Sequence, residues 1–173
     1  FGGQLGAPTY APTAVTETWN GTNWTEVNDL GTARYYLTGA GTNTAALAFG
    51  GTPPATGATE SWNGTNWTEV NDLGTARYLL GGCGATNTAA LAFGGNTPTT
   101  TAATELWNGT NWTEVNDLNT ARYWLAGAGT QTAALAIGGE DPGALTAVTE
   151  SWNGTNWTEV ADLGTARKEL GGA

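Results

Sequence analysis

Side chains able to do chemistry recur in this sequence in fixed register. The nonapeptide WNGTNWTEV occurs four times, starting at Trp19, Trp62, Trp107 and Trp152, and each copy contains one glutamate, is preceded by another and is followed by an arginine. The sets are Glu17, Glu26 and Arg34; Glu60, Glu69 and Arg77; Glu105, Glu114 and Arg122; and Glu150, Glu159 and Arg167. A planar guanidinium can bridge carboxylates with paired hydrogen bonds, so these residues are expected to form a structural ion-pair network that locks neighbouring units. Calcium is the alternative use of the same hard oxygens, but the dense Asp/Asn/Gly spacing of a calcium loop is missing. The chain has no histidine, which removes Ser-His-Asp and Cys-His catalysis and His-ligated metals together. Its one cysteine, Cys83, aligns with Ala40, Ala128 and Ala173 and reads as a small core residue rather than a disulfide or metal ligand. Catalysis needs dissimilar groups converging at one point, and near-identical units hardly break symmetry. The expectation is therefore no enzyme, no cofactor and no metal.

Two further residue types could bind or be modified. Eight of the nine tryptophans are accounted for by packing between units, because leaving them exposed would make an adhesive surface. The ninth, Trp124, departs from the repeat, with Tyr36, Leu80 and Glu169 read as its equivalents, and is the candidate for stacking a ligand such as a sugar. Asn20, Asn63, Asn108 and Asn153 stand in Asn-x-Thr sequons and are candidate glycosylation sites, although turn chemistry alone accounts for them. Five basic residues face fifteen acidic ones, for a net charge of −10. That balance argues against nucleic acid, which needs clustered Lys and Arg, and against an anionic membrane surface. No apolar run is long enough to insert into a membrane as a helix.

The elements that position these groups are strands. In a typical unit, short apolar or alternating runs at about 34–40, 44–50, 57–62 and 66–71 are bounded by Gly, Asn, Pro and Thr. No 3.6-residue apolar pattern extends far enough for a helix. The Asn-Gly stretch between the last two runs marks a hairpin. A loop of all four residues, NGTN, would set Trp19 opposite Trp24 and Glu17 opposite Glu26, a carboxylate pair that calls for the arginine. Four short strands per repeat of about 45 residues predict an all-β β-propeller of four-stranded antiparallel blades. Side-chain size agrees: the first two strands are Ala, Gly and Leu, and the last two hold the tryptophans, as a wedge that widens outward requires. Residues 1–173 form a single repeat domain, with units at about 1–48, 49–92, 93–136 and 137–173, the last incomplete.

A double glycine closing an apolar strand (Gly50-Gly51, Gly94-Gly95, Gly138-Gly139), an aromatic and a tryptophan, then the arginine, resemble the kelch repeat. The resemblance covers essentially the whole chain and implies a kelch-like propeller. Tryptophan at Trp19, Trp62, Trp107 and Trp152 departs from it, since kelch units usually show tyrosine there. The Ala/Gly/Trp/Thr-rich repeats also resemble those of tail-fibre-like and other bacteriophage surface proteins. Kelch-like propellers most often have six or seven blades, and the four units here lack one second strand. A window from a longer array, self-association into a larger ring or fibre, or an imperfect filling of the gap by residues 9–13 (TYAPT) are the three resolutions. The functional expectation is a non-catalytic structural or interaction propeller, an extracellular or virion surface or fibre component that displays loops and self-assembles. The alternative is a lectin-like binder of glycan with one weak site per blade, gaining adhesion through avidity.

Overall fold

The computed structural model describes residues 1–172, and among these every regular element is a β-strand. Three antiparallel four-stranded sheets follow one another along the chain. The first comprises Thr38–Thr42, Ala45–Phe49, Thr59–Trp62 and Trp67–Val70. The second comprises Gly81–Thr86, Ala89–Phe93, Thr104–Trp107 and Trp112–Val115. The third comprises Ala126–Thr130, Ala133–Ile137, Thr149–Trp152 and Trp157–Glu159. A two-stranded sheet, Thr16–Trp19 with Trp24–Val27, precedes them and corresponds to the last two strands of a unit. Each four-stranded sheet straddles a unit boundary of the sequence frame: the second strand ends at the double glycine, and the tryptophan hairpin follows it.

Local chemistry explains the strands. Ala45–Phe49 is a continuous apolar run because a neighbour flanks it on each edge and packing covers both faces; Leu47, Ala48 and Phe49 are wholly buried. The hairpin takes the longer loop. Trp19 faces Trp24 and Glu17 faces Glu26, the Asn20 N–H donates to the Asn23 carbonyl, and the same register recurs in every unit. The Asn20 side-chain oxygen accepts the N–H groups of Thr22 and Asn23, each at 2.9 Å, so the turn satisfies its own donors. An aspartate closes each hairpin from below: Asp72 accepts the Thr59 N–H at 3.1 Å, and Asp29, Asp117 and Asp162 do likewise.

The first strand of a unit begins at Thr38 rather than at residue 34. Arg34 is buried in an ion pair, Tyr35 bridges to Thr52, and Tyr36 has φ of 56°, which no strand tolerates. The linkers are not plain loops: Asn96–Thr97 pairs with Thr99–Thr100, and Glu140–Asp141 with Ala144–Leu145. Residues 9–13 fill no gap, because Pro12–Thr13 pairs with Gly3–Gln4 instead.

The core lies between successive sheets. Thr38–Thr42 runs beside Gly81–Thr86, which runs beside Ala126–Thr130. The close approach of these first strands requires glycine: a Cβ on Gly82 would lie 2.7 Å from the Phe49 ring, and one on Gly127 2.8 Å from that of Phe93. Further out, the phenylalanine of one sheet meets the second tryptophan of the next, Phe49 with Trp112 and Phe93 with Trp157, each with ring centroids 4.9 Å apart. Phe1 meets Trp67 at the same 4.9 Å. Small residues where the first strands of successive sheets lie side by side, and indoles where the later strands meet the next sheet, follow the size gradient the sequence carries.

Candidate functional site

Three kinds of site are built on this frame. The first is the buried ion pair between units. Arg34 bonds Glu60 at 2.5 Å, Arg77 bonds Glu105 at 3.0 Å and Arg122 bonds Glu150 at 3.0 Å, so each arginine reaches the third strand of the following sheet. The guanidinium groups are essentially inaccessible, at 1%, 0% and 0% exposure. The second carboxylate oxygen is also held: Glu60 accepts the Gly31 N–H and Glu105 the Gly74 N–H, each at 2.7 Å, and Glu150 accepts from Asn119 at 2.8 Å. Burial pulls Arg77 and Arg122 below the usual arginine range, while Glu105 and Glu150 respectively oppose that shift. Glu26, Glu69, Glu114 and Glu159, on the outer strands, are exposed and take no part in these pairs. Glu17 and Arg167 are also exposed, at opposite ends of the unit series, and are not joined.

Tryptophan and asparagine repeat the same logic. Trp67 donates its indole N–H to Thr16 of the preceding hairpin, as Trp112 does to Thr59 and Trp157 to Thr104, each at 3.1 Å. Trp62, Trp107 and Trp152 donate to the carbonyls of Asn43, Asn87 and Gln131 at the tip of their own sheet. At the rim, Asn28, Asn71 and Asn116 clasp the next hairpin turn through Asn66, Asn111 and Asn156 at 2.7–2.8 Å. Ala161 stands where the fourth clasp would be. Asn20, Asn63, Asn108 and Asn153 sit exposed at the hairpin tips.

The second site is a groove of ≈ 470 Å³ along the Thr16–Trp19 strand. That strand is paired on one side only, by Trp24–Val27, whereas each of its three counterparts also pairs with an Ala-Ala-Leu-Ala strand. Trp19 and Trp24 are accordingly 43% and 65% exposed, against 4% for Trp62. Cys83 reaches the same groove; burial pushes its thiol up to about 12, which leaves no nucleophilic thiolate at neutral pH.

The third site is a separate pocket of ≈ 350 Å³ around Trp124. The residue of each unit that follows the Arg-aromatic or Arg-Lys step lines it: Tyr36, Leu79, Trp124 and Glu169. Leu79, not Leu80, is thus the counterpart of Trp124; Leu80 aligns with Leu37, Leu125 and Leu170, which form the pocket's apolar base. Counting two residues on from Arg77 would have shown it. All four have left-handed backbone, with φ of 56°, 57°, 55° and 59°. For residues with a Cβ this conformation costs about 1–2 kcal/mol each. Their main chains are linked in sequence: Leu79 N–H donates to the Tyr36 carbonyl, Trp124 N–H to Leu79 and Glu169 N–H to Trp124, at 2.9, 2.8 and 3.1 Å.

Around Trp124 several departures from the repeat meet. Lys168 replaces the tyrosine of the other units; its ammonium lies 3.8 Å from the Trp124 ring centroid and 2.6 Å from Glu140. Tyr123 donates its hydroxyl to Glu140 at 2.6 Å. The Lys168 and Tyr123 hydrogen bonds hold the Glu140 carboxyl below its ordinary range, and the bond to Glu140 raises the Tyr123 phenol. Tyr36 stands edge-on to Trp124 at 6.3 Å. Among known proteins, no family model and no curated sequence matches this chain.

Proposed function

We propose that the chain is a non-catalytic, kelch-like β-propeller, a structural or interaction module of an extracellular or virion surface that displays its hairpin tips and self-assembles. One observation supports the reading: a single unit-to-unit interface is used three times, and its two halves are also present, exposed, on the first hairpin and after the last arginine, where a further unit, from another copy or from a longer array, would fit. The exposed acceptor half is Glu17 with Trp24; the donor half is Arg167 with Gly164, beside which a Cβ would meet nothing within 4 Å. In the internal copies the same places hold a buried Arg–Glu pair and the N–H of Gly31, Gly74 or Asn119 on that glutamate. Adjacency of the glycine-rich first strands, with indoles filling the gaps further out, favours blades splayed about a common axis over stacked flat sheets.

Light scattering tests it. A mass above the 17.7 kDa of one chain is expected, lost in Glu17→Arg and regained in Glu17→Arg/Arg167→Glu. A monodisperse single-chain species would overturn the self-assembly.

A further inference from the structure

We propose that the pocket formed by Tyr36, Leu79, Trp124 and Glu169 is one binding site for a neutral saccharide, independent of assembly. Three observations converge on it. Within the part of the unit that is otherwise repeated, this is the position at which all four units carry different residues. Other framework positions vary in one or two units, but this one differs in all four, and its four side chains line one cavity.

The backbone gives the second argument. Sixteen glycines in this chain take positive φ, so glycine is the common solution wherever the main chain turns left-handed. At these four positions the same backbone is retained with Tyr, Leu, Trp and Glu. The strain is accepted and the side chains are kept, which points to a use for the side chains rather than for the turn.

The chemistry of the wall selects the ligand. Leucines form the base, and Tyr36 and Trp124 line the pocket as aromatic surface for the C–H face of a sugar ring, with the Lys168 ammonium taking one face of the Trp124 ring. The Glu169 carboxylate is exposed and has no cationic partner among the described residues, so it is free to accept from sugar hydroxyls. The indole N–H groups of Trp62, Trp67, Trp107, Trp112, Trp152 and Trp157 are committed to the fold; that of Trp124 is not among them. A cation is disfavoured, because the Lys168 ammonium already lies over the Trp124 ring. An anion is disfavoured by Glu169. The cavity, at ≈ 350 Å³, falls at the small end of the range for ligand pockets, about 300–1,000 Å³.

The test is calorimetric titration of the intact chain with N-acetylglucosamine, chitobiose, galactose and lactose, with choline as the cationic probe. One site per chain is expected for at least one saccharide. Trp124→Leu copies the residue that the second unit carries at Leu79 and so suits the fold; it should weaken binding at least tenfold. Glu169→Gln should weaken it by a smaller factor, and Glu69→Gln, on an exposed outer strand, should leave it unchanged. Binding of choline but of no sugar, several equivalent sites per chain, or sugar binding unaffected by Trp124→Leu would each overturn the proposal, as would no binding by any probe.

Discussion

Replacing Arg77 by methionine keeps most of the side chain's volume and removes the charge that Glu105 faces. Arg77 is wholly buried, bonds Glu105 at 3.0 Å and also donates to the Ala103 carbonyl at 2.7 Å. Glu105 is 4% exposed, so after the substitution a carboxylate is left in the core with the Gly74 N–H as its remaining partner. Breaking a buried pair by removing one member costs about 3–5 kcal/mol, most of it the penalty of the stranded charge. For a chain of this length about 1 kcal/mol moves the midpoint by about 2–4 °C, so Arg77→Met should lower Tm by roughly 6–20 °C. The chain supplies its own control. Arg167 occupies the same register but is exposed in a single chain and has no acidic partner among the described residues, so at a dilution where light scattering shows single chains Arg167→Met should stay within about 0.5 kcal/mol of the parent. A second variant separates stranded charge from lost packing: Arg77→Met/Glu105→Gln removes the charge yet keeps an acceptor for Gly74, and should regain at least half of the loss. Thermal and urea unfolding followed by tryptophan fluorescence read all three. If Arg77→Met costs no more than Arg167→Met, the inter-unit pair is not what fastens the sheets. If the double variant is worse than the single one, the stranded-charge reasoning is wrong.

Other consequences are as direct. Trp62→Phe loses the indole bond to the Asn43 carbonyl and should cost about 1 kcal/mol by urea unfolding, whereas Trp19→Phe, at a half-exposed site, should cost little. Ala161→Asn restores the residue that clasps the next hairpin in the other units, and should shift light-scattering mass toward larger species at equal concentration. The Cys83 thiol, raised to about 12 by burial, should react with a disulfide reagent at neutral pH only at the rate of opening, and fast once urea unfolds the chain. Glu140 has its pKa lowered in the fold, so its contribution is complete above the ordinary carboxylate value and is lost as pH falls through the lowered one. Trp124 fluorescence should therefore change in acid, and Glu140→Gln should abolish that change.

Much of the frame could be read from the sequence because it is local. The NGTN loop sets the register of its own hairpin, so Trp19 opposite Trp24 and Glu17 opposite Glu26 follow from counting. What counting does not reveal is depth. Glu60 and Glu69 face each other across one hairpin, yet Glu60 is buried and Glu69 exposed, because the third strand has neighbours on both sides and the fourth is an edge. The choice of the first glutamate over the second, and of the following unit over the arginine's own, is made by packing across some 26 to 28 residues of chain. The left-handed residues were equally invisible. Tyr36 and Trp124 carry no glycine or asparagine to announce positive φ, so their segment reads as the start of a strand. The adjacent leucines at 79 and 80 then hid which of the two belongs to the set.

The repeat also gives a criterion for where function lies. Where four units agree, the shared residue is explained by something each unit must do for itself or its neighbour: cap a turn, fill a gap, pair an arginine. Some departures serve the frame, as Asn119 does on Glu150, and others such as Cys83 and Ala161 lie elsewhere, but several gather around Trp124. Trp124, Lys168, Glu140 and Glu169 come from three separate segments. Yet Lys168 touches both Trp124 and Glu140, and Glu169 bonds through its main chain to Trp124. Dissimilar groups from separate segments brought together around Trp124 are what a ligand site on a symmetric frame requires, because recognition needs dissimilar groups around one point and symmetry alone supplies identical ones.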